Sequence, residues 1–229
     1  MAPKILIVLT STDKMTSGKQ TGWYLPELVH PWEVLHSKAE LTFASPKGGE
    51  APVDPASIEA SKADASSMNF IKEHKSLYQN TKKLSDISHT AADEFDAVFY
   101  PGGHGPMFDL VNDEDSIRII SQMYAKGKPV AAVCHGPVVF AHVHGPDTRS
   151  MLKGRKVTGF SDVEEELMKF VDDMPFSLEK VLNEKSDGGF EKASEPWGEK
   201  VIVDGHVITG QNPASARGVA EALAKELKI

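Results

Sequence analysis

The chain has 229 residues, with 25 Lys+Arg against 33 Asp+Glu, a net charge of −8 at pH 7. That acidic balance excludes a mainly electrostatic nucleic-acid binder, and one cysteine excludes an intrachain disulfide framework or a multi-cysteine zinc or iron–sulfur centre. Hydrophobic residues at 40% and charged residues at 25% describe an ordinary globular protein. No run is apolar and long enough to span a membrane, and the opening MAPKILIVLTSTDK carries too short an apolar stretch for a signal peptide, so an intracellular chain is expected.

In chain order, 5–9 is a continuous apolar run that suits a strand buried on both faces of a parallel sheet. A polar loop over 10–21 follows, then a helix over 23–36 with Pro26 tolerated near its first turn, and a short strand over 41–44. Between 50 and 93 the strand pattern lapses. This stretch reads either as a solvated connection or as a helical insertion that caps a site, with amphipathic pieces at 56–62 and 68–78. The pattern returns as a strand over 95–100, a helix over 114–125 and a strand over 130–133, continued by a helix over 138–143. A short strand over 156–158 and helices over 163–170 and 176–185 come next. Then 200–203 and 206–209 flank the hairpin turn Asp204-Gly205. A final helix over 214–227 starts with Asn212 placed to cap it and Pro213 at its first position. Strand–helix alternation predicts one α/β domain over 1–229, a doubly wound, mostly parallel sheet sandwiched by helices and carrying an antiparallel hairpin.

Sites of such sheets lie at the carboxyl ends of strands. Ala132-Val133-Cys134-His135-Gly136 is similar to a nucleophile elbow with cysteine for serine, and small residues two before and two after the nucleophile let the turn close. A free cysteine is commonly a small buried hydrophobe, but at the start of a helix beside His and Gly a reactive thiolate is favoured. Pro101-Gly102-Gly103-His104-Gly105 is a tight turn or, with backbone N–H groups facing a substrate oxygen, an oxyanion hole. Glu27 compensates a helix dipole or serves as an acid hydrogen-bonded to the Cys134 sulfur. Glu164-Glu165-Glu166 is a solvated face or supplies the third member of a triad. His142 and His144 face apart on a helix, and no metal site is expected.

With KILIVLTS, GWYLPELVHPWEVL, FASPKGG, DEFDAVFYPGGHGPMFDL, PVAAVCHGP, LKGRKVTGF and VITGQNPASA, the chain resembles the PfpI-type superfamily of class I glutamine amidotransferase-like, flavodoxin-like folds. This superfamily also holds the parkinsonism-associated deglycase, and the likeness is strongest to its fungal glutathione-independent glyoxalase III and heat-shock chaperone branch. The resemblance implies Cys134 as nucleophile, His135 as its partner, Glu165 as the carboxylate on His135 with Glu164 as the alternative, and Glu27 as the buried acid. It implies oxyanion N–H groups from Gly103 and His135. It also implies small dicarbonyl substrates, methylglyoxal and glyoxal, converted with no cofactor, in a homodimer of the cytoplasm with the nucleus as a second compartment. Unfolded client proteins, held on an apolar surface around Trp23, Trp32 and 68–78, and oxidation of Cys134 to a sulfinate beside Glu27 are the rival roles. A glutaminase is disfavoured because no Glu follows two residues after His206.

Overall fold

The computed structural model describes residues 2–229. Seven strands form one sheet in the order β3-β2-β1-β4-β5-β7-β6. They are β1 Lys4–Val8, β2 Glu40–Ser45, β3 Lys82–Lys83, β4 Ala97–Tyr100, β5 Val130–Val133, β6 Val201–Asp204 and β7 Val207–Gly210. Every neighbouring pair runs parallel except the β6–β7 hairpin. The runs KILIV, AVFY, VAAV and VITG are buried almost throughout, because helices cover both faces of the central strands and leave no solvated side for alternation. The helices are α1 Leu25–Leu35, α2 Pro55–Ala60, α3 Ala65–Glu73, α4 Lys75–Gln79, α5 Leu84–Ile87, α6 Ala91–Glu94, α7 Glu114–Ala125, α8 Asp162–Met168, α9 Leu178–Lys185 and α10 Ala216–Glu226. The chain leaves β1 for β2 and β3 on one side, then returns to add β4 and β5 on the other. The connections at the carboxyl ends of β1 and β4 therefore part and leave a crevice at this switch point.

Several elements differ from the sequence reading. The segment 50–93 holds short helices, but it also supplies the edge strand β3, paired with β2, and none of its residues lines the cavity over Cys134. Its apolar side chains are occupied in packing instead. Trp23 is fully buried with Tyr78 edge-on at 5.2 Å, and Trp32 meets Phe70 and His74, so these residues form core and not an open apolar surface. The 68–78 helix is broken at His74 into α3 and α4. Helix α1 tolerates Pro26 in its first turn, as expected, and also carries Pro31, whose missing N–H leaves the Glu27 carbonyl without its helical partner.

Residues 156–158 make no strand. Only Val157 bridges to Phe190, and the Thr158 N–H is taken by the Thr209 hydroxyl at 3.0 Å. After Cys134 the chain makes a five-residue 3₁₀ turn, Gly136–Phe140, where a longer helix was expected, since Pro137 and two β-branched valines disfavour α-helix there. The hairpin turn is Gly205-His206, one residue later than read, with Gly205 at φ +60°. Asn212 does not cap the last helix: its amide donates to Glu164 Oε1 and the Gly198 carbonyl, and a 3₁₀ turn at Pro213–Ser215 precedes α10.

Candidate active site

Cys134 closes β5, with its N–H donating to the Gly210 carbonyl at 2.9 Å and its own carbonyl accepting from Phe160. Its φ of +61° is strained for a non-glycine residue, at a cost of about 1–2 kcal/mol, and throws the sulfur forward out of the sheet. The elbow needs Gly136 two residues on, because a Cβ there would lie 2.5 Å from the Tyr100 carbonyl oxygen. Gly103, at φ +87°, is just as constrained, since a Cβ would meet the Gly22 carbonyl at 2.3 Å. This close approach holds the loop after β4 against the loop after β1 and brings Gly103 to the sulfur. Among the described residues, neither the Gly103 nor the His135 N–H donates to a backbone carbonyl. The Gly103 N–H acts on the Cys134 sulfur instead, which puts one donor of an oxyanion hole beside the nucleophile.

His135 Nδ1 lies 3.4 Å from Cys134 Sγ, and its Nε2 is 2.6 Å from Glu165 Oε2. With Glu165 accepting at Nε2, Nδ1 is the lone-pair nitrogen facing sulfur. Burial works against the Glu165 carboxylate, yet the His135 imidazole and hydrogen bonds from His104 and His135 hold it well below the usual carboxylate range. Burial likewise holds His135 below its ordinary value despite that carboxylate, so the ring is a neutral acceptor at pH 7.

Glu27 is fully buried in the first turn of α1. Its Oε2 accepts from the Gly102 N–H at 2.8 Å, and its Oε1 has no geometrically ideal partner. Burial drives its pKa to about 8, against the pull of hydrogen bonds with Cys134 and Gly102. Burial also pushes the Cys134 thiol up, as does the negative charge Glu27 would carry, while the Gly103 N–H pulls it down. The two acids thus compete for one proton, and when the sulfur is ionised that proton stays on Glu27. Burial and the short 3₁₀ turn, which offers little dipole, both work against a resting thiolate, while the Gly103 N–H and a protonated Glu27 favour one.

The adjacent carboxylates of α8 have different partners. Glu164 is the N3 residue of a capping box with Ser161 and also accepts from Gln211, Asn212 and the Trp197 N–H. Replacing Glu164 by alanine would orphan several buried donors at once. The expected loss, about 2–4 kcal/mol in urea unfolding, would appear whether or not activity survives.

The sequence reading passed over four side chains of this cavity. His104 contacts Glu165 Oε1 through Nε2 at 2.8 Å. Tyr24, Met168 and Trp197 line the cavity together with Phe160 and Pro213, and burial keeps the Tyr24 hydroxyl protonated, its pKa raised to about 12. His104 stood in the glycine loop already singled out at a strand end. Trp197 had no local signal at all. The cavity is small, about 50 Å³. His104, His135 and Glu165 offer ligand atoms within 4.8 Å of one another, a geometry that could hold a metal ion, but here both Nε2 atoms are engaged by the carboxylate. His142 and His144 are exposed, and His30 pairs with Asp64.

The model of the DJ-1/PfpI family matches residues 20–226. The chain belongs to the DJ-1/PfpI family. Within this DJ-1/PfpI family, Glyoxalase 3 of Candida albicans is 33% identical over 95% of both chains, and a glutathione-independent glyoxalase of Saccharomyces cerevisiae is 30% identical over 96% of both. Among solved structures, glyoxalase III from Candida albicans superposes with a TM-score of 0.87 at 31% identity, covering 98% of this chain and 97% of that one. A rapid encystment protein of Francisella tularensis gives 0.91 at 34% identity, covering 98% and 99%.

Proposed function

We propose that this DJ-1/PfpI protein is a glutathione-independent glyoxalase III that converts methylglyoxal and water to D-lactate through a hemithioacetal on Cys134. The observation that carries the reading is a sulfur set between a neutral imidazole, 3.4 Å away and backed by an ionised carboxylate, and a buried carboxylic acid, in a chain whose full-length relatives bear that name. A cavity of about 50 Å³ suits a three-carbon dicarbonyl.

As Sγ bonds to the aldehyde carbon, the thiol proton passes to His135 Nδ1, and the oxygen that gains charge lies under the Gly103 and His135 N–H groups. His135 then protonates that oxygen, which completes the hemithioacetal. Isomerisation moves the C1 hydrogen to C2 and the O1 proton to O2. Neutral His135 and protonated Glu27 supply the base and the acid for these transfers. The product is a lactoyl thioester, which water cleaves to lactate and a proton while the sulfur recovers its hydrogen.

The test is methylglyoxal consumption without added glutathione, followed by chiral separation of lactate. D-lactate from the purified protein is expected, whereas no lactate, L-lactate, or dependence on glutathione would overturn the reading. Glu165→Gln keeps the shape of the site but not the charge behind His135, so turnover is expected to drop about 10²–10⁴-fold with little change in unfolding midpoint. Parallel loss of activity and stability would instead make Glu165 a structural residue. The same reading includes glyoxal as a second substrate and a homodimer, which light scattering would size.

A further inference from the structure

We propose that His104 is a second general base, sharing Glu165 with His135, and that it activates the water that hydrolyses the lactoyl thioester. The inference rests on the glyoxalase reading and adds a residue to it. Glu165 has two oxygens and each faces one imidazole: Oε2 meets His135 Nε2 at 2.6 Å and Oε1 meets His104 Nε2 at 2.8 Å. The rings lie 4.3 Å apart, with Phe170 packed 4.7 Å from His104. The orientation argument that leaves His135 Nδ1 as an acceptor leaves His104 Nδ1 as one too. The difference is what each faces. His135 Nδ1 has the sulfur, while His104 Nδ1 has no hydrogen-bond partner among the described residues, and its ring lines the cavity beside Cys134 and Gly103.

The chemistry requires such a division. When the thioester is cleaved, water must lose a proton as its oxygen bonds to the carbonyl carbon, and the departing sulfur must gain one as the C–S bond breaks. His135 lies against the sulfur and serves the leaving group. Glu27 carries its own proton until about pH 8 and is an acid at neutrality. His104 Nδ1 is the remaining acceptor of the cavity: it takes the first proton of the water as its oxygen bonds to the carbonyl carbon and releases that proton to solvent. As the C–S bond then breaks, the second proton, on the new carboxyl group, passes through His135 Nδ1 to the sulfur, so that lactate leaves as the anion and the site returns to its starting state. One carboxylate is enough because the two imidazolium forms arise at different steps.

His104→Gln tests this, since its amide keeps a donor for Glu165 and removes the ring nitrogen. The expected result is a burst of about one methylglyoxal consumed per site and a steady-state rate reduced about 10²–10⁴-fold. The accumulated species would be a thioester that hydroxylamine converts to lactohydroxamate, and turnover would recover in hydroxylamine, which attacks without a base. Alkylation of Cys134 by iodoacetamide would be unchanged, because the His135–Glu165 contact is intact. His104→Asn, with a shorter amide, is read in the same way should the first variant not fold. Wild-type turnover in the variant, slow turnover without a trappable thioester, or slowed alkylation would each overturn the assignment. The last would make His104 a support for Glu165 alone. No D-lactate from the wild type would end the glyoxalase reading instead, so the two failures are distinguishable.

Discussion

Alanine at Cys134 is expected to bring methylglyoxal conversion down to the uncatalysed rate, a loss on the order of 10⁴–10⁶-fold. Both halves of the reaction pass through the carbon–sulfur bond, so no other residue can substitute by binding alone. The fold should tolerate the change. The strained φ of +61° belongs to the elbow and not to the thiol, and alanine bears the same strain there. The lost sulfur contacts cost about 1–2 kcal/mol at most. The decisive measurement pairs D-lactate formation with an unfolding curve for each protein. Turnover within tenfold of wild type in a folded variant would remove the covalent mechanism, and the oxyanion loop would then be a structural turn.

The second large effect is on stability. Glu27 has an ordinary carboxyl pKa of 4.5 and one of about 8 in the folded protein, with burial the leading cause. Between these values the native state binds a proton that the unfolded chain has released, so stability falls as pH rises. The contribution is fully present below about pH 4.5 and lost by the time pH passes 8. Its size is roughly 5 kcal/mol from the distance between the two values. Glu27→Gln removes the titration. Urea unfolding across this range should therefore show the wild type weakening relative to the variant, which becomes the more stable protein in mild alkali. Parallel pH profiles would mean that Glu27 is ionised in the native state at neutrality and cannot be the acid that accompanies the sulfur. Activity of Glu27→Gln is expected to fall about 10²–10³-fold, because glutamine keeps a donor but cannot exchange a proton.

Much of this was legible in the residues. The buried strands announce themselves as unbroken apolar runs, and α7 and β5 were read to the residue, since Asp113 caps the first and small and β-branched residues fill the second. The placing of Cys134, His135 and Gly103 together at adjacent strand ends was legible because tight turns are local, set by spacing along a few residues. His104 was legible in place but not in role, since only the fold shows which carboxylate it faces. The partners of Glu164 and Glu165 could not be separated from sequence, because neighbours on a helix differ only in direction, and direction is set by packing from Phe160, Asn212 and Trp197. Asn212 was misread for a related reason: a capping side chain and a side chain hydrogen-bonded across the fold have the same local sequence.

The capping box that starts α8 has a consequence for how the chain can change length. One residue of helix turns the following side chains by about 100°. Deleting a single residue between Ser161 and Glu165 would therefore rotate Glu165 toward the cap and bring Glu166 toward His135, with its Cα displaced along the helix. Insertions would do the reverse. The reciprocal Ser161–Glu164 bonds pin this phase, so the segment can exchange side chains on its outer face, at Val163 and Leu167, far more freely than it can gain a residue. Single-residue insertions and deletions through this stretch would map the phase directly: a deletion before Glu164 leaves glutamates both at the cap and toward His135, whereas an insertion there puts Val163 in the place of the capping Glu164 and should cost stability.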